Sequence, residues 1–356
     1  MRLPHIRDDP VLQEGQMRFL SFALFVLSAA ACQLPRGAAG RSAADLDDHA
    51  GHMSAADRTP PPPAAAGVTI PQGHPGLPAS NAGAAARLAA SPRHGEWVKF
   101  PVGQGTTDSV MAWIVYPSTP ARAPVVVVVH EIFGLSTWVR AVADQVAADG
   151  FIAIAPDFLS RVRGGPSTEE LRGDSATRLI RGVEAAERNR IISASASYAM
   201  VQPAAEPRYA VIGYCWGGQT TFMHAVHGGV KGFAGGVAYY GLPYITAGSP
   251  ATATSPAVPA TVNADSMAKI NVPMMLLNGS KDARIGAAMP VLQTVMATLG
   301  KEYTGVNYEG AVHGFLRAQD DPRPQRDEAE EAANLAASKD AWPRTLAFLR
   351  RHLGAR

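Results

Sequence analysis

One short segment of the chain carries the residue types of nucleophilic catalysis. Residues Gly213–Gly218 (GYCWGG) follow an apolar run and set a cysteine between two glycines, the pattern of a sharp turn from a strand into a helix. Glycine suits both flanking positions because side chains there would collide with neighbouring backbone. The N-terminus of the helix would also favour the thiolate form of Cys215. We therefore predict that Cys215 is a nucleophile.

An acid and a histidine follow two later strand-like runs. Asp282 comes after the run 272–277, and His313 comes after the run 303–308. Catalytic groups collect beyond the carboxyl ends of the strands in such sheets, and the chain order nucleophile, acid, histidine is that of the α/β-hydrolases. We expect His313 to take the proton of Cys215 and Asp282 to hold the imidazole in the useful tautomer.

A fourth segment, His130–Gly134 (HEIFG), directly follows a β-branched run. In α/β-hydrolases the segment after this strand supplies the second backbone donor of the oxyanion hole. We therefore predict that the backbone N–H groups of Ile132 and Trp216 are the two donors. The carboxylate of Glu131 is unexpected beside a thiol because like charges repel. Either Glu131 accepts a proton or a hydrogen bond from the thiol, or it is a surface acid without a role.

The elements that must position these residues alternate between strand-like and helix-like segments, which is typical of an α/β fold. We predict one domain over residues 94–356, with a mostly parallel central sheet covered by helices on both faces and an antiparallel entry formed by the first two strands. Predicted strands lie near 96–101, 109–116, 124–129, 151–155, 209–212, 233–240, 272–278 and 303–308, and predicted helices near 137–148, 168–200, from 215, 287–299 and 329–353.

Two segments lack this alternation. Residues 33–93 are rich in Ala, Pro, Gly and Ser, which predicts a disordered tether, and we assign no role to its histidines His49, His52 and His74. Residues 242–270 are rich in Pro, Ala, Thr and Ser and are long for a connection, so they form either a lid over the site or a mobile surface insert.

Residues 1–32 carry a predicted export signal. The apolar run Phe19–Ala31 follows Met17 and Arg18, ends in small residues and is shorter than the about 20 residues that span a bilayer. The signal would begin at Met17, which leaves Met1 or Met17 as the start. Cys32 then becomes either a lipidated N-terminus or a free thiol, and we expect a periplasmic protein or a membrane-anchored lipoprotein.

Composition excludes several classes of protein. The 356 residues carry a net charge of only +2, which argues against nucleic-acid binding. Two cysteines are too few for a disulfide scaffold or a cysteine-rich zinc site. Because the sequence has no phosphate loop, dinucleotide fingerprint or set of metal ligands, we expect no cofactor and no metal. The expected partner is a small molecule, bound by a monomer.

Taken together, the segments HEIFG, GYCWGG, the Asp282 turn and VHGF resemble the dienelactone hydrolase family from about Trp113 to the C-terminus. The resemblance implies an α/β-hydrolase fold with Cys215, Asp282 and His313 as the triad. It implies that Glu131 contacts the resting thiol and that Arg317 receives a substrate carboxylate and displaces Glu131. It leaves the family's second arginine unplaced among Arg161, Arg163, Arg172 and Arg178.

The expected function is therefore an exported, cysteine-dependent hydrolase that opens a lactone or cleaves an activated ester through an acyl-enzyme. Two alternatives remain at this stage. One is a general carboxylesterase or acyl hydrolase of altered specificity. The other is a surface-tethered binding protein that has kept the fold and lost the reaction.

Overall fold

An eight-stranded sheet lies at the centre of the computed structural model, which describes residues 73–354 except positions 104, 120, 168–173, 247, 250–251, 253 and 325. The spatial order in this sheet is β1-β2-β4-β3-β5-β6-β9-β10, and two further short strands pair with each other. The strands are β1 (Gly95–Pro101), β2 (Ser109–Val115), β3 (Ala123–Val129), β4 (Ile152–Asp157), β5 (Ala205–Tyr214), β6 (Phe233–Tyr239), β7 (Ile245–Thr246), β8 (Thr261–Val262), β9 (Met274–Gly279) and β10 (Tyr303–Tyr308).

The pairing of the strands confirms the predicted α/β fold. β1 pairs with β2, and β2 with β4, in antiparallel register, while the remaining pairs from β4 to β10 are parallel. The β-branched run lies in β3, where all seven residues are buried, as expected of a strand covered on both faces. Because β3, β5, β6 and β9 are parallel, their carboxyl ends lie at the same edge of the sheet.

Helices cover both faces of the sheet, and two clusters of buried apolar side chains fill the space beneath them. The helices are α1 (Ala84–Ala89), α2 (Thr137–Ala148), α3 (Ser160–Arg163), α4 (Asp174–Arg181), α5 (Ala185–Met200), α6 (Trp216–His227), α7 (Ala264–Ala268), α8 (Ala283–Thr298), α9 (Phe315–Ala318) and α10 (Glu328–Leu353). No helix within these described ranges is long and apolar enough to cross a bilayer.

Two helices differ from their predicted bounds. The single helix predicted over 168–200 is interrupted between α4 and α5 at Gly182, a residue with low helix propensity; positions 168–173 lie outside the described residues. α8 begins four residues before the predicted start of 287 because the side chain of Asp282 accepts a hydrogen bond from the N–H of Ile285 and caps the helix.

The segment 242–270 is folded at both of its ends. β7 and β8 form a two-stranded antiparallel ladder, and Ser249 bridges Val258. Met267 and Ile270 are buried in the cluster that also contains Leu292 of α8. The segment is thus anchored beside α8, which neither the lid nor the mobile-insert interpretation anticipated.

Residues 73–93, the last part of the predicted tether, are ordered, so that prediction is wrong for this stretch. Leu77, Ala79 and Ser80 are buried, and α1 follows them. Small residues pack here through backbone contacts that composition does not reveal. Residues 33–72, with His49 and His52, lie outside the described residues.

We name residues 74–82 the N-terminal strap because they form hydrogen bonds and an ion pair with residues 317–321, in and directly after α9. The N–H of Asn81 donates to the carbonyl of Arg317 at 2.8 Å, and Gln319 donates through Nε2 to the carbonyl of Pro78 at 2.8 Å. The N–H of Ala82 donates to Asp321 at 2.9 Å. His74, to which we assigned no role, pairs with Asp320 at 2.9 Å. The indole N–H of Trp138 also donates to the strap, 3.0 Å from the carbonyl of Ala79.

Removal of the strap is predicted to lower the stability of the domain. A chain that begins at Gly83, and so keeps α1, loses the burial of Leu77, about 1.5–3 kcal/mol, and several hydrogen bonds of about 1 kcal/mol each. The conformational entropy lost when the strap is ordered offsets part of this stabilisation. We therefore expect the free energy of unfolding, measured with urea, to fall by at least about 2 kcal/mol. A chain that begins at Gly73 is the matched control. Equal urea midpoints for the two chains would contradict the prediction.

Candidate active site

Cys215 lies at the turn between β5 and α6 in a backbone conformation that side chains rarely adopt. Its φ is 55° and its ψ is −115°, and it is the residue that precedes the first turn of α6. Positive φ costs a non-glycine residue free energy, and such strain concentrates at functional sites. The side chain is fully buried, so the turn holds a thiol inside the protein at the N-terminus of a helix.

Three glycines allow this turn to form. A Cβ on Gly213 would lie 2.0 Å from the carbonyl oxygen of Gly217, and a Cβ on Gly217 would lie 2.3 Å from that of Val129. A Cβ on Gly218 would lie 2.6 Å from the carbonyl oxygen of Tyr239. The turn is therefore pressed against the ends of β3 and β6, as the spacing of the glycines predicted.

His313 and Asp282 meet at the same edge of the sheet. Nδ1 of His313 lies 2.7 Å from Oδ2 of Asp282, and both side chains are at most 4% exposed. The other oxygen of Asp282 accepts the N–H of Ile285 at 3.2 Å, which fixes the carboxylate at the start of α8. After His313, Gly314 at φ 82° turns the chain into α9.

The protonation of His313 depends on its two neighbours. Burial alone lowers the pKa of His313, but the charge and proximity of Cys215 and the hydrogen bond to Asp282 raise it well above its usual value. Nε2 of His313 makes no hydrogen bond to a described residue, and Cys215 is close enough to interact with the ring. A raised pKa makes His313 a better base, so the arrangement favours transfer of the thiol proton to give an imidazolium beside a thiolate.

Glu131 and Arg317 form a buried ion pair beside this group. Nε of Arg317 lies 3.3 Å from Oε2 of Glu131, and the two side chains are 4% and 2% exposed. The guanidinium also lies 5.3 Å from the ring centre of Phe133. Glu131 is therefore not a surface acid, because its side chain is buried and pairs with Arg317. Arg317 is the only residue of α9 with a positively charged side chain.

His130 fixes the backbone around Glu131. Its Nδ1 lies 2.7 Å from the carbonyl oxygen of Glu131, and its Nε2 accepts the N–H of Phe158 at 3.2 Å. These two contacts require a neutral ring with the proton on Nδ1, and burial lowers the pKa of His130 in agreement with that tautomer. The ring stacks on Trp216 at 5.8 Å.

The two predicted oxyanion donors belong to the nucleophile turn and to the segment that follows β3. Trp216 is the first residue of α6, and the N–H groups of a first helical turn have no intrahelical acceptor. Ile132 belongs to the buried segment after β3, against which Gly217 packs. The prediction that these two N–H groups bind the oxyanion remains a prediction.

The four candidates for a second arginine have different surroundings. Arg161 pairs with Asp108 and Glu187, Arg163 donates to the carbonyl of Pro166, Arg178 is exposed, and Arg172 lies outside the described residues. A buried arginine that the sequence reasoning missed, Arg188, lies 4.4 Å from the ring centre of Trp216. In the described part of the chain no three His, Cys, Asp or Glu side chains converge as metal ligands do.

Comparisons with known proteins point to one family. The model of the dienelactone hydrolase family matches residues 110–353. A "putative carboxymethylenebutenolidase" of Synechocystis sp. is 28% identical over 239 residues, which cover 65% of this chain and 88% of that relative. A "probable 2-oxo-3-(5-oxofuran-2-ylidene)propanoate lactonase" of Bradyrhizobium sp. is 26% identical over 264 residues, which cover 72% of this chain and 94% of that relative.

Solved structures share the fold. A "putative dienelactone hydrolase" from Klebsiella pneumoniae superposes with a TM-score of 0.53 at 24% identity, covering 72% of this chain and 99% of that one. A dienelactone hydrolase from Anabaena variabilis superposes with a TM-score of 0.51 at 15% identity, covering 73% of this chain and 99% of that one.

Replacement of Asp282 is predicted to change the protonation of His313. In Asp282→Asn the hydrogen bond and the charge that raise the pKa of His313 are lost, while burial continues to lower it. We expect a lower pKa of His313, measured by NMR titration of the ring, and a loss of hydrolysis on the order of 10³–10⁴-fold. Asp265→Asn, at an exposed position of α7, is the control. An unchanged His313 titration in Asp282→Asn would count against the pairing.

Proposed function

The chain belongs to the dienelactone hydrolase family, whose members hydrolyse ester and lactone bonds, and from this premise we propose that it opens a lactone bearing a carboxylate, with Cys215 as the nucleophile. The observation that carries the proposal is the proximity of His313 to both Asp282 and the strained, buried cysteine. An activated carboxylic ester is the second kind of bond that the same groups can cleave.

In the first half of the proposed reaction, the thiolate of Cys215 attacks the lactone carbonyl. The carbonyl oxygen becomes an oxyanion that accepts hydrogen bonds from the N–H groups of Ile132 and Trp216. Collapse of this intermediate breaks the bond between the carbonyl carbon and the ring oxygen. The ring oxygen leaves as an enolate, which takes the proton of the His313 imidazolium, and the acyl group remains on sulfur as a thioester.

In the second half, the now neutral His313 removes a proton from water. The resulting hydroxide adds to the thioester carbonyl, and the thiolate leaves as the acid product forms. The imidazolium of His313 and the thiolate of Cys215 are thereby restored. Asp282 holds the ring orientation through both halves and stabilises its charged form.

The buried Arg317 supports a substrate that carries a carboxylate. A guanidinium fork presents parallel donors that match the two oxygens of a carboxylate. In the resting enzyme Glu131 supplies that negative charge, so a substrate carboxylate would take its place and Glu131 would move aside. The name of the Bradyrhizobium relative, a lactonase of a carboxylate-bearing furanylidene compound, supports the same class of substrate.

A comparison of two substrates tests the proposed activity. We expect the purified chain, kept reduced, to open a carboxylate-bearing dienelactone, and Cys215→Ala to lose this activity by at least about 10³-fold. Arg317→Gln should raise the KM for that lactone and leave the hydrolysis of a neutral aryl ester unchanged. The ester is an internal control because any loss of folded protein lowers both rates.

The results of this comparison separate the proposal from its alternatives. Full activity in Cys215→Ala would refute the nucleophile. If the wild-type chain cleaves aryl esters and not the lactone, the protein is a general esterase and the role of Arg317 is wrong. If neither substrate is cleaved, the binding-protein interpretation gains support.

We also propose that the chain is exported and cleaved before Cys32. The support is the short apolar run Phe19–Ala31, which ends in small residues directly before that cysteine and lies outside the described residues. Cleavage there leaves Cys32 as the N-terminus, either with an attached lipid or as a free thiol. A lipid would hold the hydrolase at a membrane surface through residues 33–72.

Mass spectrometry of the mature chain tests export. We expect the N-terminal peptide to begin at Cys32, and a lipid mass on that peptide would establish the lipoprotein form. The Cys32→Ala variant should then move from the membrane fraction to the soluble fraction while its lactone turnover is unchanged. A mature protein that begins at Met1 or Met17 would refute the predicted signal.

A further inference from the structure

Tyr240 occupies a position that the family motifs and the proposed triad leave without a role. It directly follows β6, so it lies at the same edge of the sheet as Cys215 and Asp282. Its φ is 38°, which is unusual for an aromatic residue, and its side chain is fully buried. A large side chain held in this conformation inside a pocket is typical of a residue positioned for function.

The backbone on both sides of Tyr240 is joined to the nucleophile turn. The N–H of Cys215 donates to the carbonyl of Tyr239 at 3.0 Å, and a Cβ on Gly241 would lie 2.1 Å from the carbonyl oxygen of Cys215. The N–H of Tyr240 itself donates to the carbonyl of Leu277 at 2.8 Å. Its ring centre is 4.9 Å from that of His313. The phenol is therefore held beside the reacting groups with little freedom.

The hydroxyl group of Tyr240 has no hydrogen-bond partner among the described residues. Its neighbour Tyr239 is also fully buried, but the hydroxyl of Tyr239 lies 2.7 Å from Oγ1 of Thr345. A buried hydroxyl without a partner costs free energy, and natural proteins have few of them. The contrast between these adjacent tyrosines indicates that the partner of Tyr240 arrives from outside.

The charged side chains near the hydroxyl of Tyr240 indicate which kind of ligand group could accept its hydrogen bond. Burial raises the pKa of Tyr240 well above its ordinary value, Glu131 raises it further, and Arg317 lowers it. The phenol is therefore neutral and able to donate a hydrogen bond, in the field of the Glu131–Arg317 pair. Tyr214 is a second buried phenol without a described partner, but its ring packs against Trp138 at 5.0 Å and Tyr239 at 4.9 Å, whereas the ring of Tyr240 packs against His313.

We propose that the hydroxyl of Tyr240 donates a hydrogen bond to the carboxylate of the substrate, beside the guanidinium of Arg317. This inference rests on the proposed function, because it names a further residue that binds the same class of substrate. A carboxylate has about four acceptor positions, so a guanidinium fork and a phenol can bind it together. The incoming anion then satisfies a donor that the resting pocket leaves unpaired.

The proposal makes Tyr240 a specificity residue that distinguishes acidic from neutral lactones. The test compares a carboxylate-bearing dienelactone with the methylidene lactone that has the same ring and no carboxylate. In Tyr240→Phe we expect the KM for the acid to rise about 10- to 100-fold, the effect of losing a hydrogen bond to a charged group. The KM and kcat for the methylidene lactone should not change. Tyr239→Phe is the matched control and should leave both substrates unaffected.

A stability measurement separates binding from structure. Tyr240→Phe removes an unpaired buried hydroxyl and should leave the urea midpoint unchanged or raise it, whereas Tyr239→Phe removes a paired one and should lower it. A lowered midpoint in Tyr240→Phe, or an unchanged KM for the acid, would overturn the proposal. An equal loss of kcat on both lactones would also overturn it, because the phenol would then serve the reacting carbonyl.

Binding without turnover distinguishes this proposal from the proposed activity. In Cys215→Ala, calorimetry with the acid gives its Kd directly, and adding Tyr240→Phe should raise that Kd about 10- to 100-fold. If the wild-type chain opens neither lactone, the proposed activity fails, while the two Kd values still decide the role of Tyr240. Equal Kd values would refute it.

Discussion

The left-handed backbone of Cys215 is the constraint on which the rest of the site depends. The turn that holds Cys215 at positive φ brings backbone segments too close together for a Cβ at positions 213, 217 and 218. Glycine is therefore required at these three positions. The same close approach places the ends of β3 and β6 against the turn. The segment after β3 then carries Glu131 and the predicted oxyanion donor, and the segment after β6 carries Tyr240. One strained residue thus determines where three strands must end relative to one another.

The parts of the site that could be predicted from sequence are those encoded over a few residues. The glycine spacing around Cys215, the buried β-branched strand before His130 and the acid and histidine that follow later strands are local patterns with a direct physical meaning. The strap could not be predicted, because its small residues look like a linker and are held through their backbone by partners more than two hundred residues away. The role that we assign to Tyr240 depends on an unpaired hydroxyl, and no sequence pattern reports one.

Two pairs of buried, oppositely charged side chains lie in the site. His313 faces Asp282 and the thiol, while Arg317 faces Glu131. Burying an ion pair is costly, and removing one partner costs more than exchanging it for a group of the same charge. In the proposed reaction, a substrate carboxylate that replaces Glu131 preserves the charge beside Arg317. Neutral His130 adds no charge of its own and holds the backbone from which Glu131 extends. The pocket is therefore suited to exchanging one anion for another.

The strap also determines the order in which the active site can be completed as the chain is made. His74 and Asp320 are separated by 246 positions, and the carbonyl of Arg317 receives its hydrogen bond from Asn81. A ribosome releases the strap long before it releases α9, so the strap has no docking site until nearly the whole domain has emerged. Closing so long a loop is among the last steps of folding. The helix that carries Arg317 consequently reaches its final position only when both ends of the domain are present.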